Sequence, residues 1–304
     1  MNTTCYQVGL DVGSTTAKIV VLDGNGNIAY SNYERHHAHV KELVSQYFNS
    51  IQQKLGDIEC TICVTGSVGM STAEQLHVEF VQEVVAATVF AKARYPQAKA
   101  LIDIGGEDAK VVFFNGKNME LRMNGNCAGG TGAFIDQMSV LMGINNDEMS
   151  QRAMNATRVY PMAARCGVFA KTDVQNLMSR NLPEEDIAAS IFHSIAVQTV
   201  TTLSHGCTFT APILLCGGPL TFMPALRKAF ADYLQMDGEK DFITSSFSNL
   251  IPAIGCAIRS KGDGIRLSQL QERLQQKEIH AWKSVLQPLF LSEGDHAQWL
   301  AEKQ

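Results

Sequence analysis

The sequence of 304 residues is poor in charge and in aromatic side chains, which make up 18% and 8% of it. Its net charge of −5 lacks the basic excess that nucleic-acid binding requires, so we expect no nucleic-acid partner. No run of 18 apolar residues is present, which excludes a membrane-spanning helix, and no basic-then-apolar leader follows Met1. We therefore expect a cytoplasmic protein of about two domains with a substantial core.

An internal repeat is the most informative pattern. Residues 10–24 read LDVGSTTAKIVVLDG and residues 102–116 read IDIGGEDAKVVFFNG, at an offset of 92 residues. In each copy an apolar run ends in Asp, a glycine turn follows, and a second β-rich run leads to another glycine. This predicts two strand–turn–strand hairpins in two similar, facing domains. The main identities are Asp11 with Asp103, Gly13 with Gly105, and Lys18 with Lys110.

Hydrophobic periodicity predicts an α/β fold with three parts. The first domain spans 1–97 and is completed by a helix near 250–260, the second spans 98–260, and 261–304 form a polar helical tail. Strands are expected at 5–11, 16–23, 27–33, 60–65, 100–104, 109–114, 118–123 and 212–217. Helices are expected at 39–54, 83–95, 130–142, 169–180, 184–204, 223–235 and 250–260.

The repeated turns have the chemistry of phosphate binding. A tight glycine turn exposes backbone N–H groups that can point at phosphate oxygens. A carboxylate beside each turn, Asp11 or Asp103, can hold Mg²⁺ through water. A third element, Gly217-Gly218, follows a short strand and lets the backbone approach a flat ligand such as adenosine. Further donors in the two turns are Ser14, Thr15, Thr16, Lys18 and Gly106.

These three elements, in this order, resemble the actin-like ATPase superfamily. The resemblance implies two RNase-H-like domains with ATP or ADP in the cleft between them. It implies that Asp11 and Asp103 are the two magnesium-associated acids. Gly217 and Gly218 match the adenosine motif.

Two cysteines precede predicted helices. Cys127 lies in NGNCAGGTGAF and Cys166 in ARCGVFAKTDV. The N-terminus of a helix favours a thiolate or a cluster of negative charge. An iron–sulfur cluster normally needs four thiolates, so one chain supplies too few, whereas a twofold dimer supplies four.

Together, DIGGEDAK, CAGGTGAF and ARCGVFAKTDV resemble the activator (component A) of 2-hydroxyacyl-CoA dehydratases and the related subunits of benzoyl-CoA reductase. The resemblance covers residues 5–260. It implies one 4Fe-4S cluster shared across a homodimer, with ATP hydrolysis driving a low-potential electron into a dehydratase or reductase. Ferredoxin or flavodoxin would reload the cluster. The segments CAGGTGAFIDQM and 286–290 most resemble the N-terminal domain of large fused activases.

The sequence departs from this family at Glu107, where many members have Gln. The resemblance places Glu107 beside the second phosphate turn, in a position to orient the attacking water. The segment 65–70, TGSVGM, also lacks the aromatic residue and the Arg that the family often has there.

Two other functions remain open. A sugar or small-molecule kinase of the same fold would use Asp103 as its base, although no sugar-binding constellation is evident. A nucleotide-dependent assembly protein of the actin type is the third hypothesis. The remaining candidates have structural interpretations. Cys60 and Cys63 lie in an apolar strand, the cysteines 5, 207, 216 and 256 are expected in the core, and His36, His37 and His39 in a solvated loop.

Overall fold

The computed structural model describes residues 5–116, 118–124, 129–163, 166–276, 290 and 292–303. The strands, in chain order, are β1 (Tyr6–Val12), β2 (Thr16–Leu22), β3 (Ile28–Arg35), β4 (Glu59–Thr65), β5 (Glu79–Phe80), β6 (Ala100–Ile104), β7 (Ala109–Asn115), β8 (Asn118–Asn124), β9 (Ile213–Cys216), β10 (Phe242–Ile243) and β11 (Ile265–Arg266). The α-helices are α1 (Val40–Leu55), α2 (Gly69–Leu76), α3 (Glu83–Arg94), α4 (Gly132–Met142), α5 (Asn146–Ala153), α6 (Gly167–Ser179), α7 (Glu184–Leu203), α8 (Gly218–Phe222), α9 (Pro224–Leu234), α10 (Ile251–Arg259), α11 (Leu267–Gln275) and α12 (Glu293–Lys303).

Two sheets repeat one strand order. The first runs β3-β2-β1-β4, with β5 and β11 both paired to β4, and the second runs β8-β7-β6-β9-β10. In each sheet the first three strands form an antiparallel meander and the next strand lies parallel to the first. The register repeats as well, because Asp11 lies opposite Lys18 and Asp103 lies opposite Lys110. Both predicted hairpins are confirmed.

Helices α3 and α10 form a layer between the two sheets. Their apolar side chains share one buried cluster with Val20 and Leu22 of the first sheet and with Leu101 and Val112 of the second. The backbones approach closely. A Cβ on Gly9 would lie 1.8 Å from the carbonyl oxygen of Ala253, and a Cβ on Gly255 would lie 1.8 Å from that of Ala86. Only glycine permits these two close contacts, which fix the position of the helix pair between the sheets.

Eight further helices of those described above pack on the outer faces of the sheets. Buried side chains of α1, α2 and α11 pack on the first sheet, and those of α4, α5, α6, α7 and α9 pack on the second. The pairing of β11 with β4 holds the following helix, α11, against the first sheet. Ile265 pairs with Cys60, and Leu267, Leu270 and Leu274 are then buried against the first sheet. Residues 265–274, which the sequence assigns to the polar tail, are therefore part of this core.

The expected strands and helices agree with the observed ones to within about three residues. The sequence pattern misses several short elements, among them α2, α5, α8, β10 and β11. The chain consists of two compact units, Met1–Leu274 and Gln275–Gln304, and in the second unit the ring of Phe290 packs against those of His296 and Trp299 of α12. The domain boundaries near 97 and 260 stay predictions. Within the described ranges, none of the helices has the length and apolar character to span a bilayer.

We expect Gly255→Ala to lower the free energy of unfolding by about 2–3 kcal/mol, because the added methyl group must push α10 away from the α3 backbone. Gly238→Ala is the matched control, since a Cβ at that position meets nothing closer than 3.7 Å. Urea unfolding of both variants measures the difference. Equal stability of Gly255→Ala and the native chain would contradict the close approach.

Candidate functional site

The two turns that the sequence predicts to bind phosphate have the same backbone structure. In the first, the N–H of Gly13 donates to the carbonyl oxygen of Thr16 at 3.0 Å. In the second, the N–H of Gly105 donates to the carbonyl oxygen of Asp108 at 2.9 Å. The turns also face each other, because a Cβ on Gly106 would lie 2.7 Å from the hydroxyl oxygen of Thr15. The structure thus brings the two halves of the sequence repeat to one cleft.

Each acid at the base of the cleft lies under a glycine with positive φ. Gly66 follows β4 with φ +98°, and a Cβ there would lie 2.6 Å from Oδ1 of Asp11. Gly217 follows β9 with φ +94°, and a Cβ there would lie 2.8 Å from Oδ1 of Asp103. Both acids are buried. The repeat therefore extends to Gly66, which the sequence comparison of the two hairpins did not reach.

The cleft has a volume of about 580 Å³ and is lined by both halves of the first unit. It takes in most of the predicted binding residues, namely Asp11, Thr15, Thr16, Lys18, Asp103, Gly105, Gly106 and Gly218.

Gly13, Ser14, Gly217 and Glu107 are not among the lining residues. The N–H of Gly13 closes its own turn, and the N–H of Gly217 donates to the carbonyl oxygen of Ser248 at 3.2 Å. These two glycines therefore shape the turns, and their N–H groups are already committed within the chain.

Fixed charges of both signs lie at the base of the cleft. The ammonium of Lys18 lies 3.0 Å from Oδ2 of Asp11, and that of Lys110 lies 3.0 Å from Glu83 and 2.8 Å from Asp108. Oδ1 of Asp11 is buried and has no hydrogen-bond partner among the described residues. A buried carboxylate oxygen without a donor is a suitable ligand for a cation or for a water of its hydration shell.

Burial raises the pKa of both acids. It raises the pKa of Asp11, although the Lys18 ammonium acts in the opposite direction. Burial also raises the pKa of Asp103 to about 7, against the lowering effect of Lys110 and with a further raising effect of Glu83 and Asp108. Asp103 therefore changes charge near neutral pH when the cleft holds no cation.

The sequence analysis did not assign several residues of the cleft. Glu83 begins α3 and lines the cleft, whereas Glu107, the predicted water-orienting residue, is exposed. Tyr33 reaches across the cleft to the adenosine turn, because a Cβ on Gly218 would lie 2.8 Å from its hydroxyl oxygen. Arg35 pairs with Asp136 of α4 at 3.1 Å. The one available signal was for Glu83, an acid at a helix start after a short apolar run.

Only one of the two predicted cluster ligands lies within the described residues. Cys166 is the N-cap residue of α6 and is half-buried, as its sequence context predicts. Cys127 lies outside the described residues. Gly129, two positions after it, packs against the residue that follows Cys166. A Cβ on Gly167 would lie 3.7 Å from the Cα of Gly129. The chain segments that follow the two cysteines therefore meet at the beginning of α6.

The remaining cysteines and the histidines of residues 36–39 agree only in part with their expected positions. Cys60, Cys63, Cys216 and Cys256 are buried as expected, and Cys207 is half-buried, packing against the core of the second sheet with its thiol beside Glu120. Cys5 is exposed, so the expectation is wrong for Cys5. The expectation of a solvated histidine loop is wrong for His36, whose side chain is only 7% exposed. In the part of the chain that the structure describes, no three His, Cys, Asp or Glu side chains form a metal-binding group.

We expect Asp103→Asn to change the pH dependence of stability in the protein without nucleotide. The pKa of Asp103 is about 7 in the folded chain and 3.8 when unperturbed, so the folded state binds the extra proton and loses stability as pH rises through 7. The native chain should lose about 1–3 kcal/mol more than the variant between pH 5 and pH 8. Urea unfolding at both pH values measures this, with exposed Asp263→Asn as control. Parallel curves for the native chain and Asp103→Asn would contradict the raised pKa.

Comparison with known proteins places this cleft in a family. Residues 8–259 match the BadF/BadG/BcrA/BcrD ATPase family. The 2-hydroxyisocaproyl-CoA dehydratase activator of Clostridioides difficile is 30% identical over 83% of this chain and 94% of its own length. The (R)-2-hydroxyglutaryl-CoA dehydratase activating ATPase of Acidaminococcus fermentans is 28% identical over 70% of this chain and 82% of its own.

Solved structures agree with the fold. Component A of the Acidaminococcus fermentans (R)-2-hydroxyglutaryl-CoA dehydratase superposes with a TM-score of 0.75 at 22% identity, over 84% of this chain and 98% of that one. The Clostridium difficile 2-hydroxyisocaproyl-CoA dehydratase activator with bound ADPNP gives 0.70 at 24% identity, over 91% and 100%. The predicted actin-like ATPase fold is confirmed. The chain therefore belongs to the BadF/BadG/BcrA/BcrD ATPase family.

Proposed function

We propose that this chain is an ATP-dependent activator that delivers a low-potential electron to a 2-hydroxyacyl-CoA dehydratase or a related reductase. Membership of the ATPase family supports the nucleotide chemistry. The curated relatives that match the chain include activators for 2-hydroxyglutaryl-, 2-hydroxyisocaproyl- and lactoyl-CoA dehydratases and a benzoyl-CoA reductase subunit. These relatives favour an electron-transferring ATPase over a sugar or small-molecule kinase.

ATP would lie in the cleft between the two turns. Backbone N–H groups of Thr15 and Gly106, with the hydroxyls of Thr15 and Thr16, would hold its phosphates, since these residues line the cleft. Gly218 and Tyr33 flank the expected adenosine side. Asp11 and Asp103 would hold Mg²⁺, which when bound neutralises phosphate charge. The buried, unpartnered Oδ1 of Asp11 is consistent with such a ligand.

The water that attacks the terminal phosphate needs an orienting group. Glu107 is the candidate from the sequence, and Glu83 is the candidate from the cleft, since it lines the site beside Lys110. A carboxylate held by a buried ammonium keeps one fixed orientation and can accept a hydrogen bond from water. We favour Glu83 because Glu107 is exposed.

One observation supports coupling between the nucleotide and the cysteines. Helix α4 begins on the second phosphate turn, because the N–H of Gly132 donates to Gly105 at 2.9 Å and that of Ala133 donates to Gly106 at 2.7 Å. Cys127 precedes Gly132 by five residues. A change of this turn on ATP hydrolysis would therefore move the start of α4 and the cysteine-bearing segment before it.

Cys127 and Cys166 from each of two copies would bind one 4Fe-4S cluster on the axis of a homodimer. The donor set fits, since Cys166 is a free thiol at a helix N-terminus and the segments following both cysteines meet. When bound, the cluster supplies the one-electron chemistry. Ferredoxin or flavodoxin would be the electron donor. The seven described cysteines are all free thiols, which is typical of a cytoplasmic protein.

We expect Cys127→Ser and Cys166→Ser to abolish iron binding. Purified without oxygen, the native chain should be brown with absorption near roughly 400 nm and contain about four irons per two chains. Each variant should lose iron and elute as a monomer in size-exclusion chromatography. Cys5→Ser is the matched control, since Cys5 is exposed and lies far along the chain from both ligands. Full iron content in both variants would refute the shared cluster, and sugar-stimulated ATP consumption by a colourless protein would favour the kinase.

We expect Glu83→Gln to lower kcat for ATP hydrolysis by about 100-fold or more, with KM within about threefold, since an isosteric amide keeps its contact with Lys110 but loses the negative charge. Glu107→Gln is the paired variant and should change kcat by less than about threefold. Initial rates at saturating MgATP decide between them. The reverse pattern would assign the water-orienting role to Glu107.

A further inference from the structure

One histidine of the sequence HHAH is not in solvent. His36 follows β3 directly and is 7% exposed, whereas His37 and His39 are exposed. The next two residues, His37 and Ala38, have φ of +46° and +66°. Two consecutive left-handed residues fold the backbone sharply back, which brings the Ala38 N–H to Nδ1 of the imidazole. The local chain is thus bent around the ring of His36.

The hydrogen bonds of the ring fix its tautomer. Nδ1 lies 3.1 Å from the backbone nitrogen of Ala38, which can only donate, so Nδ1 carries no proton. Nε2 lies 3.0 Å from the carbonyl oxygen of Gly13, which can only accept, so Nε2 carries the proton. The backbone N–H of His36 also donates to the carbonyl oxygen of Thr15 at 3.2 Å. Ring and backbone of His36 thus bind both ends of the first phosphate turn.

The second turn has a different donor at the equivalent position. The carbonyl oxygen of Gly105, which corresponds to Gly13 in the repeat, accepts from the N–H of Gly132 at 2.9 Å. In both turns the first glycine therefore has its N–H and its carbonyl committed within the protein. A helix N-terminus does this in the second turn, and the imidazole of His36 does it in the first.

We propose that His36 is a positioning residue for the nucleotide, acting through the carbonyl of Gly13. With that oxygen bonded to Nε2, the turn presents Thr15 and Thr16, which line the cleft, to the phosphates. Without the bond, the Gly13 peptide is free to rotate, and a carbonyl oxygen turned toward a phosphate repels it. The proposal rests on the proposed nucleotide site in this cleft.

Two conservative variants separate the two bonds of the ring. The amide nitrogen of a Gln side chain reaches the position of Nε2, so His36→Gln keeps a donor for Gly13. The amide oxygen of an Asn side chain reaches the position of Nδ1, so His36→Asn keeps only the acceptor for Ala38. A role confined to the bend at 36–39 is rescued by Asn, and a role in positioning Gly13 is rescued by Gln.

The experiment measures MgADP binding by calorimetry and the steady-state kinetics of ATP hydrolysis in the full chain. We expect His36→Asn and His36→Ala to weaken MgADP binding and raise KM for ATP by about tenfold, which is ~1.4 kcal/mol, with kcat within about twofold. His36→Gln should stay within about threefold of the native chain. His37→Gln and His39→Gln are controls at exposed positions of the same loop, and thermal unfolding verifies that each variant is folded.

Retention of affinity by His36→Asn, or its loss in a folded His36→Gln, overturns the proposal. Gly106→Val tests the underlying site separately, since its side chain would collide with Thr15 across the cleft. If Gly106→Val binds MgADP as the native chain does, the proposed nucleotide site is wrong. If Gly106→Val loses binding while every His36 variant retains it, only the role of His36 is wrong.

Discussion

The close packing of helices α3 and α10 between the two sheets is the constraint on which the rest of the structure depends. Gly9 lets the α10 backbone touch β1, and Gly255 lets it touch α3. Because protein interiors are close-packed and resist small displacements, these contacts give the sheets one separation. Asp11 and Asp103 end strands of the two sheets, so their spacing at the base of the cleft follows from the same packing. Glu83 begins one of the two helices and lies 3.0 Å from Lys110, the residue opposite Asp103 in the second hairpin.

The two halves share a strand order, a hairpin register and a glycine over each acid, and they differ in what holds the turns. The second turn is bound to the first two N–H groups of α4. The first is bound to an imidazole from the end of β3. A helix moves as a body over its whole length, whereas a side chain constrains only its immediate contacts. The half that contains both predicted cluster cysteines is also the half whose phosphate turn is attached to a helix.

The two hairpins and the acids beside them could be predicted from the sequence, because two matching segments support the same interpretation. The identical Asp, Gly and Lys residues at one offset of 92 predicted both hairpins, and the strand register places Lys18 and Lys110 opposite the two acids. His36 was not predictable, because the polar composition of HHAH is the same whether a ring is solvated or folded under a turn. The 265–274 segment carried a usable signal, since Leu267, Leu270 and Leu274 lie on one helical face. The resemblance to the family, together with its place beside the second turn, names Glu107 as the water-orienting residue, but a position in the sequence does not determine whether a side chain faces the cleft or solvent, and Glu107 is exposed.

The ion pair between Arg35 and Asp136 joins the end of β3 to α4 at the mouth of the cleft. Its side chains are 51% and 38% exposed, so water and salt screen most of their attraction, and such a pair contributes about 0–1 kcal/mol. Asp136 also accepts from Asn146 and keeps a partner when Arg35 departs. The ion pair therefore adds little to the free energy that holds β3 and α4 together at this edge, and a molecule bound in the cleft that touches both elements would contribute more to their association than Arg35 and Asp136 do.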